Sequence, residues 1–175
     1  MRSQLMALMK ESTADNYRAL HSLVVQHASY APYGNTLEVL EAALSAGDFD
    51  LVAKQLPEAM PNLLLSPRVH KIAWALHRHT QDEQAAGMEM ALYTACVEGM
   101  LATGDGSQAR PYLVCHISDE YDLLRHLKRE VRQQRKMVDG SRHFDVVACA
   151  DGGDVWFDVT AAASRLEESL GGTKG

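Results

Sequence analysis

The sequence changes character within residues 103–160, TGDGSQARPYLVCHISDEYDLLRHLKREVRQQRKMVDGSRHFDVVACADGGDVWFDVT. Before this stretch, apolar residues recur at three- and four-residue steps, which is typical of amphipathic helices. Inside it, short runs alternate apolar with polar residues and end at glycine or aspartate, as strands joined by tight turns do. We therefore predict an α+β protein, with a helical part over residues 1–106 and a small α+β part over residues 107–170, the two forming one compact unit.

In the second part, the alternation predicts a small antiparallel sheet with short helices. Ser118 is expected to cap one helix, with Tyr121 at its third position, because serine hydroxyls accept from free first-turn amides. Thr160 is expected to cap a last helix that ends near Leu170, and residues 171–175 are predicted to be a disordered tail. The predicted strands are Pro111–Ile117, Val131–Val138, His143–Ala150 and Val155–Val159.

In the first part, apolar stripes predict antiparallel helix pairs that pack on the sheet. Pro57 has no amide donor, so it predicts a kink or a break near Leu56. Two pairs of this size, separated by Gly-Asp and Gln-Asp turns, are similar to degenerate tetratricopeptide repeats, and a generic α-bundle is the alternative. The predicted helices are Ser12–Ala28, Thr36–Ala46, one capped by Asp48 that carries Leu51 to Ala59, one that carries Val69 to Leu76, and Asp82–Ala102.

Charge and cysteine content narrow the class of protein. The formal net charge of −6 argues against nucleic acid as the main partner, since phosphate binding needs a dominant basic face. No run approaches the roughly 20 apolar residues of a membrane span. Cys96, Cys115 and Cys149 are odd in number and lack a CxxC spacing, which indicates buried thiols in a reducing compartment. We therefore predict a cytoplasmic protein with neither a nucleic-acid nor a membrane partner.

Five short motifs follow one another in the second half of the chain: Thr103–Gly106, Ile117–Leu124, Arg132–Gln134, Phe144–Val147 and Trp156–Thr160. In this order and spacing they resemble the bacterial DUF4919 family. The resemblance covers about Met88 to Ala162. It implies a fold, in which tetratricopeptide-like helices precede a small β-rich part. It implies no activity, because none is established for that family.

One helical stripe forms the first candidate site. His70, Trp74 and His77 lie beside the apolar stripe of the same predicted helix. Such a stripe either packs on a neighbouring helix pair or lines a groove for a partner peptide, with Trp74 as the anchor. Tyr93, on the long helix that follows, is added to the same candidate groove.

Clustered carboxylates form the second candidate site. If they converge at one end of the sheet, they could bind Mg²⁺ or Ca²⁺, or act as an acid/base pair with His116 or His143. If they do not converge, they are turn, cap and surface residues. The carboxylates are Asp105, Asp119, Glu120, Asp145 and Asp158.

A basic run is the sharpest local charge feature of this acidic chain. It is either a solvated edge strand protected by charge or a docking surface for an acidic partner. Its members are Arg125, Lys128, Arg129, Arg132, Arg135 and Lys136.

These patterns favour a non-catalytic protein-interaction module over an enzyme. Helical repeats bind through their concave faces, and the sequence has no P-loop, Rossmann glycine pattern, GxSxG or HExxH motif. No cofactor, metal ligand or catalytic nucleophile is therefore predicted. The expected partner is a protein or a peptide, and the number of copies in the assembly stays open. The alternative is a metal-assisted or acid/base hydrolase that uses the carboxylates of the second part.

Overall fold

The helical stripes and the later alternation fold as predicted into an α+β protein, in a computed structural model that describes residues 1–171. Within these residues, six helices precede the first strand, and two more helices accompany a four-stranded sheet. The helices are α1 Arg2–Lys10, α2 Ala14–Val25, α3 Thr36–Ser45, α4 Phe49–Ala59, α5 Pro67–His79, α6 Glu83–Thr103, α7 Ile117–His126 and α8 Thr160–Gly171. The strands are β1 Tyr112–Leu113, β2 Val131–Asp139, β3 Arg142–Cys149 and β4 Asp154–Asp158. Gly171, the first residue of the predicted tail, closes α8, and the rest of that tail lies outside the described residues.

Aspartate caps begin the second helix of each predicted pair. Asp48 Oδ1 accepts from Leu51 N over 3.0 Å, and Asp82 Oδ1 accepts from Ala85 N over 3.0 Å. Each bond satisfies an amide that the first helical turn leaves without an intrahelical partner. α3 packs on α4 and α5 packs on α6, while α1 and α2 also pack on α6. The long helix α6 is therefore the element against which most of the helical part is built.

Two features of the helical part differ from the sequence prediction. α4 continues through Pro57 to Ala59, so the break expected near Leu56 is absent. Pro57 lies in the last turn, where its missing amide removes a single intrahelical bond. The sequence pattern predicts no helix at α1. Its apolar stripe is thin, because Leu8 is the only residue of this helix that is buried.

The sheet is mixed, so the prediction of an antiparallel sheet is wrong at one strand. The strand order is β1-β4-β3-β2, with β2–β3 and β3–β4 antiparallel and β1 parallel to β4. α7, β2 and β3 lie between β1 and β4 in the chain. β1 and β4 are therefore not joined by a hairpin, which would force them to be antiparallel. β2 lies at the open edge of the sheet.

The predicted strand Pro111–Ile117 is reduced to two residues because its second half enters a helix. Asp119 Oδ2 accepts from Cys115 N over 3.3 Å and from His116 N over 2.9 Å. These bonds turn the chain into α7, for which His116 is the N-cap residue. The predicted N-cap Ser118 is therefore wrong: Ser118 already lies within the first turn.

The two parts of the chain share one core. Tyr17 of α2 and Met100 of α6 belong to the same buried cluster as Val147 of β3 and Phe157 of β4. A second cluster joins α3, α4 and α5, and it includes Leu40, Val52 and Ile72. Burial of apolar surface therefore fixes the sheet directly on the helices.

Candidate functional site

A cleft of about 840 Å³ lies where the sheet meets the helical part. The loop that leads into α3, the first turns of α7 and the edge strand β2 form its walls, and β3 contributes to its floor. Aromatic and charged side chains face each other across it. Its lining includes Tyr33, Leu37, Tyr121, Gln134, Lys136 and Asp145.

A buried carboxyl pair lies at the floor of this cleft. Gln134 Nε2 donates to Asp145 Oδ2 over 2.8 Å and to Glu120 Oε2 over 3.1 Å. Tyr121 Oη donates to Gln134 Oε1, which fixes the orientation of the amide. One glutamine of the edge strand thus binds a carboxyl of α7 and a carboxyl of β3, and sequence separation had hidden this arrangement.

The Glu120 carboxyl of this pair has a raised pKa. Burial raises the pKa of Glu120 to about 9, and the neighbouring charge and hydrogen bond of Asp145 add to the increase. Glu120 therefore keeps its proton at neutral pH and is a hydrogen-bond donor. Glu120 Oε1 and Asp145 Oδ1 are both buried, with no other partner among the described residues. A hydrogen bond between the Glu120 and Asp145 side chains joins the pair directly.

Asp119 and His116 lie beside this pair but serve the backbone. Asp119 is fully buried and caps α7 through the two amides described above. His116 Nε2 lies 3.1 Å from Asn62 Oδ1, which also accepts from Ala31 N over 2.9 Å. Because that oxygen is an acceptor, His116 Nε2 donates to it. This contact ties the start of α7 to the loop that carries Tyr33.

The other predicted acidic residues do not join the pair. Asp105 Oδ2 pairs with Arg110 over 2.7 Å on the surface, and Asp158 Oδ2 pairs with Arg142 over 3.0 Å. His143 lies 3.8 Å from Glu167 of α8 and borders a smaller cavity of about 180 Å³ that Asp145 also borders. Within residues 1–171, no three His, Cys, Asp or Glu side chains are arranged to hold a metal ion. The convergence is thus limited to Glu120, Asp145 and their immediate neighbours.

The four residues predicted to line the helical groove lie in different environments. His70 is only 1% exposed: its Nδ1 lies 2.7 Å from Glu89 Oε2 and its Nε2 lies 3.0 Å from the Leu64 carbonyl. His70 follows the packing alternative, because it is buried and both ring nitrogens contact residues outside α5. Trp74 is 38% exposed, and His77 is partly exposed.

Tyr93, on α6, is partly buried. The Lys71 ammonium stands 4.5 Å from the centre of its ring, a cation–π contact that covers one face of the tyrosine. Tyr93 also borders a cavity of about 380 Å³ together with Arg68 and His126. Of the four residues, His70 is thus buried, while Trp74, His77 and Tyr93 are at least partly exposed.

Sequence reasoning missed the central residues of the cleft. Gln134 enters the sequence analysis only as part of a motif, and Tyr33 does not enter it. A signal for Gln134 exists in the sequence, since it is an uncharged position in the middle of a run of arginine and lysine. The position of Tyr33 at the rim of the cleft depends on tertiary packing, which has no local signature.

Comparisons of the chain with protein-family models, with curated proteins and with solved structures give no match. The resemblance to the DUF4919 family stays a prediction. Among the described residues, no helix combines the length and the apolar character needed to cross a membrane.

Proposed function

We propose that this protein is a non-catalytic protein-interaction module, and that its partner segment binds in the cleft between the helical part and the sheet. The observation that supports this most directly is the cleft itself, because its volume of about 840 Å³ suits several side chains of a peptide. Tyr33 and Tyr121 are 46% and 38% exposed at its rim. Exposed tyrosines beside a concave surface are frequent anchors in interfaces.

The helix pairs hold this cleft in place. Arg68 of α5 pairs with Asp122 of α7 over 2.8 Å and with Glu41 of α3 over 3.2 Å. One guanidinium thus bonds to two carboxylates from different elements, with a fork geometry that restricts their relative position. We keep the tetratricopeptide-like description of α3 to α6 as part of this proposal, with the helices as a scaffold and the cleft as the binding surface. Cytoplasmic residence belongs to the proposal as well, in keeping with the free, buried thiols of Cys96, Cys115 and Cys149.

A selection from a random peptide library on the immobilised protein tests the proposal. We expect enriched peptides to lose about tenfold or more in affinity for the Tyr121→Ala variant, as for an interface anchor. Trp74→Ala removes an aromatic ring of similar exposure from α5 and is the matched control, with unchanged affinity. Loss of binding in the Trp74→Ala variant alone would transfer the site to the helix face. Failure to enrich any peptide would contradict peptide binding altogether.

The carboxyl pair supports a second candidate function, acid/base hydrolysis. A buried carboxyl with a raised pKa, next to a second carboxyl, is an arrangement that acid/base enzymes use. Asp145 borders the cleft and would be the base, while protonated Glu120 lies behind it. A panel of nitrophenyl esters, phosphates and glycosides tests this function, with Asp145→Asn as the inactive control. Turnover by the wild-type protein that the variant lacks would favour the enzyme over the interaction module.

A further inference from the structure

The edge strand β2 has an open main chain beside the cleft. It is nine residues long, and every residue except Gln134 is exposed. Its pairing with β3 is irregular only between Val131 and Gln133, and the register is continuous from Gln133 to Asp139. An irregularity of this kind blunts one end of an edge strand and leaves the remainder able to pair.

The hydrogen-bonding pattern of the sheet identifies which residues of β2 are open. The His143 carbonyl accepts from Val159 N on the β4 side of β3, so the main chains of the adjacent residues Arg142 and Phe144 face β2. Arg142 and Phe144 are opposite Asp139 and Met137. Alternate residues therefore bond to β3, and the remaining residues direct both their N–H and C=O groups toward the open edge. These open residues are Gln134, Lys136 and Val138.

The cleft borders this open edge and not only the face of the strand. Gln134, Arg135 and Lys136 all line it, although successive side chains of a strand point to opposite faces. The Arg135 side chain is directed to the other face, where its Nη2 pairs with Asp154 of β4 over 2.7 Å. Arg135 thus contributes main chain to the cleft. A segment bound in the cleft has direct access to the edge of β2.

The charge of the edge selects the kind of segment. Within residues 1–171, Arg125, Arg129 and Arg135 pair with aspartates. In the same part of the chain, Lys128, Arg132 and Lys136 form no ion pair, although Lys136 stands opposite Asp145 in the sheet. These unpaired cations stand in a protein of net charge −6, so the charge is local to this edge. An acidic segment would complement it, and electrostatic attraction would speed its association.

We infer that β2 binds an acidic peptide in extended conformation, which adds to the sheet as a fifth strand along the Gln134–Val138 edge. This inference rests on the proposed function and names the chemistry of the partner. Main-chain hydrogen bonds to the open residues supply affinity, and carboxylates beside Lys136 and Arg132 supply specificity. Apolar side chains of the peptide contact Met137, which is 39% exposed and lies on the opposite face of β2 from Lys136.

A second copy of this chain is a poorer occupant of the same edge. Pairing β2 with β2 would place one row of arginine and lysine beside an identical row. Like charges directly across a sheet are destabilising. Charge repulsion therefore disfavours pairing of β2 with a second copy of β2 and favours pairing with an acidic strand.

A fluorescent peptide of alternating glutamate and valine, nine residues long to match β2, tests the inference by anisotropy with the intact protein. We expect saturable binding that weakens with added salt, and no binding of the lysine–valine counterpart. A peptide of the same sequence with alternate backbone N-methyl groups keeps every charge but loses the main-chain donors. It should bind about tenfold more weakly or not at all, because strand addition depends on those donors.

Two variants at position 136 separate the contribution of the side-chain charge to peptide affinity from that of the main-chain N–H. Lys136→Gln removes the charge alone, whereas Lys136→Pro also removes the outward N–H, at an edge position where proline leaves the ladder to β3 intact. The affinity should fall in the order wild type, Lys136→Gln, Lys136→Pro. Lys54→Glu, an exposed change on α4, is the control, and circular dichroism checks that each variant folds. If Lys136→Pro does not fold, the N-methylated peptide still tests whether binding depends on main-chain hydrogen bonds.

The outcomes distinguish this inference from the proposed function. Equal binding of the acidic and basic peptides, or of the N-methylated peptide and its parent, would overturn strand addition by an acidic segment. If library-selected peptides still depend on Tyr121 in that case, the cleft remains the binding surface and only the partner chemistry is wrong. If neither the acidic peptide nor any selected peptide binds, both proposals fail.

Discussion

Gln134 Nε2 donates to Asp145 Oδ2 over 2.8 Å, and this bond connects the exposed edge strand to a residue that is 1% exposed at the cleft floor. The same amide nitrogen donates to Glu120. A change at the solvent edge of β2 is thereby coupled to the protonation of a buried pair. The cleft is consequently a structural unit whose stability and binding can both be measured.

Replacement of Glu120 by glutamine should flatten the dependence of stability on pH. Burial raises the folded-state pKa of Glu120 from 4.5 to about 9, so the folded protein retains a proton that the unfolded chain releases. The contribution of Glu120 to the free energy of unfolding is fully present below pH 4.5. It decreases by about 1.4 kcal/mol per pH unit as the pH rises toward 9. Glu120→Gln resembles the protonated form and lacks this loss.

Urea denaturation at several pH values between 5 and 9 compares the free energy of unfolding of the wild type with that of Glu120→Gln. Glu38→Gln, at an exposed carboxyl of the same cleft, is the control and should follow the wild-type curve. Parallel curves for wild type and Glu120→Gln would contradict a protonated Glu120.

Substitution of Gly99 should reveal the close contact of α6 with α1 and α2. A Cβ atom there would lie 2.6 Å from Tyr17 Cδ2 and 3.0 Å from Leu8 Cδ1, both in the main core. Gly99→Ala should therefore destabilise the protein by about 1–3 kcal/mol, the usual cost of overpacking. Gly87→Ala is the matched control on the same helix, because nothing lies within 4 Å of its Cβ position.

Alanine is the better helix former, so Gly87→Ala should stabilise by about 0.5–1 kcal/mol. Chemical denaturation compares the two variants with the wild type. Equal effects of the two substitutions would contradict the packing of α6 on Tyr17.

Removal of Asp119 should cost more than removal of an exposed helix cap. Asp119 Oδ2 accepts from two buried amides, whereas Asp82 Oδ1 accepts from Ala85 N at the exposed start of α6. Asp82→Ala should lower stability by about 1 kcal/mol, the typical value for an N-cap. Asp119→Ala leaves two buried donors unpaired and should cost about 2–4 kcal/mol. A similar loss in both variants, measured by thermal melts, would show that Asp119 acts only as an ordinary cap.

Replacement of His70 should affect stability and not recognition. Its ring nitrogens lie 2.7 Å from Glu89 and 3.0 Å from the Leu64 carbonyl, inside the protein. His70→Ala should destabilise by about 2–4 kcal/mol, through a cavity and two lost partners. Trp74→Ala, at an exposed position of the same helix, should cost less than about 1.5 kcal/mol. Melting temperatures of the two variants measure this difference. A larger loss in Trp74→Ala than in His70→Ala would contradict the buried contacts of His70.

The sequence was sufficient for the class of the fold and most helix positions, because periodicity and caps are local. Asp48 and Asp82 begin their helices as their residue types predict. It was insufficient for β1, whose pairing with β4 joins residues about 45 positions apart in the chain. The same holds for the cleft, since Glu120 of α7, Gln134 of β2 and Asp145 of β3 come together only through tertiary packing. For His70, the stripe position left packing and groove lining open, because it does not reveal the partner Glu89 on α6.

Amide hydrogen exchange at β2 tests the central claim most directly, with and without the alternating acidic peptide. In the free protein, the amides of Gln134, Lys136 and Val138 face solvent and should exchange fast, while those of Arg135 and Met137 are bonded to β3. We predict that the peptide slows exchange at Lys136 and Val138 and leaves the Trp74 region of α5 unchanged. Unaltered exchange at β2, with new protection around Trp74, would contradict the account and place the binding surface on the helices.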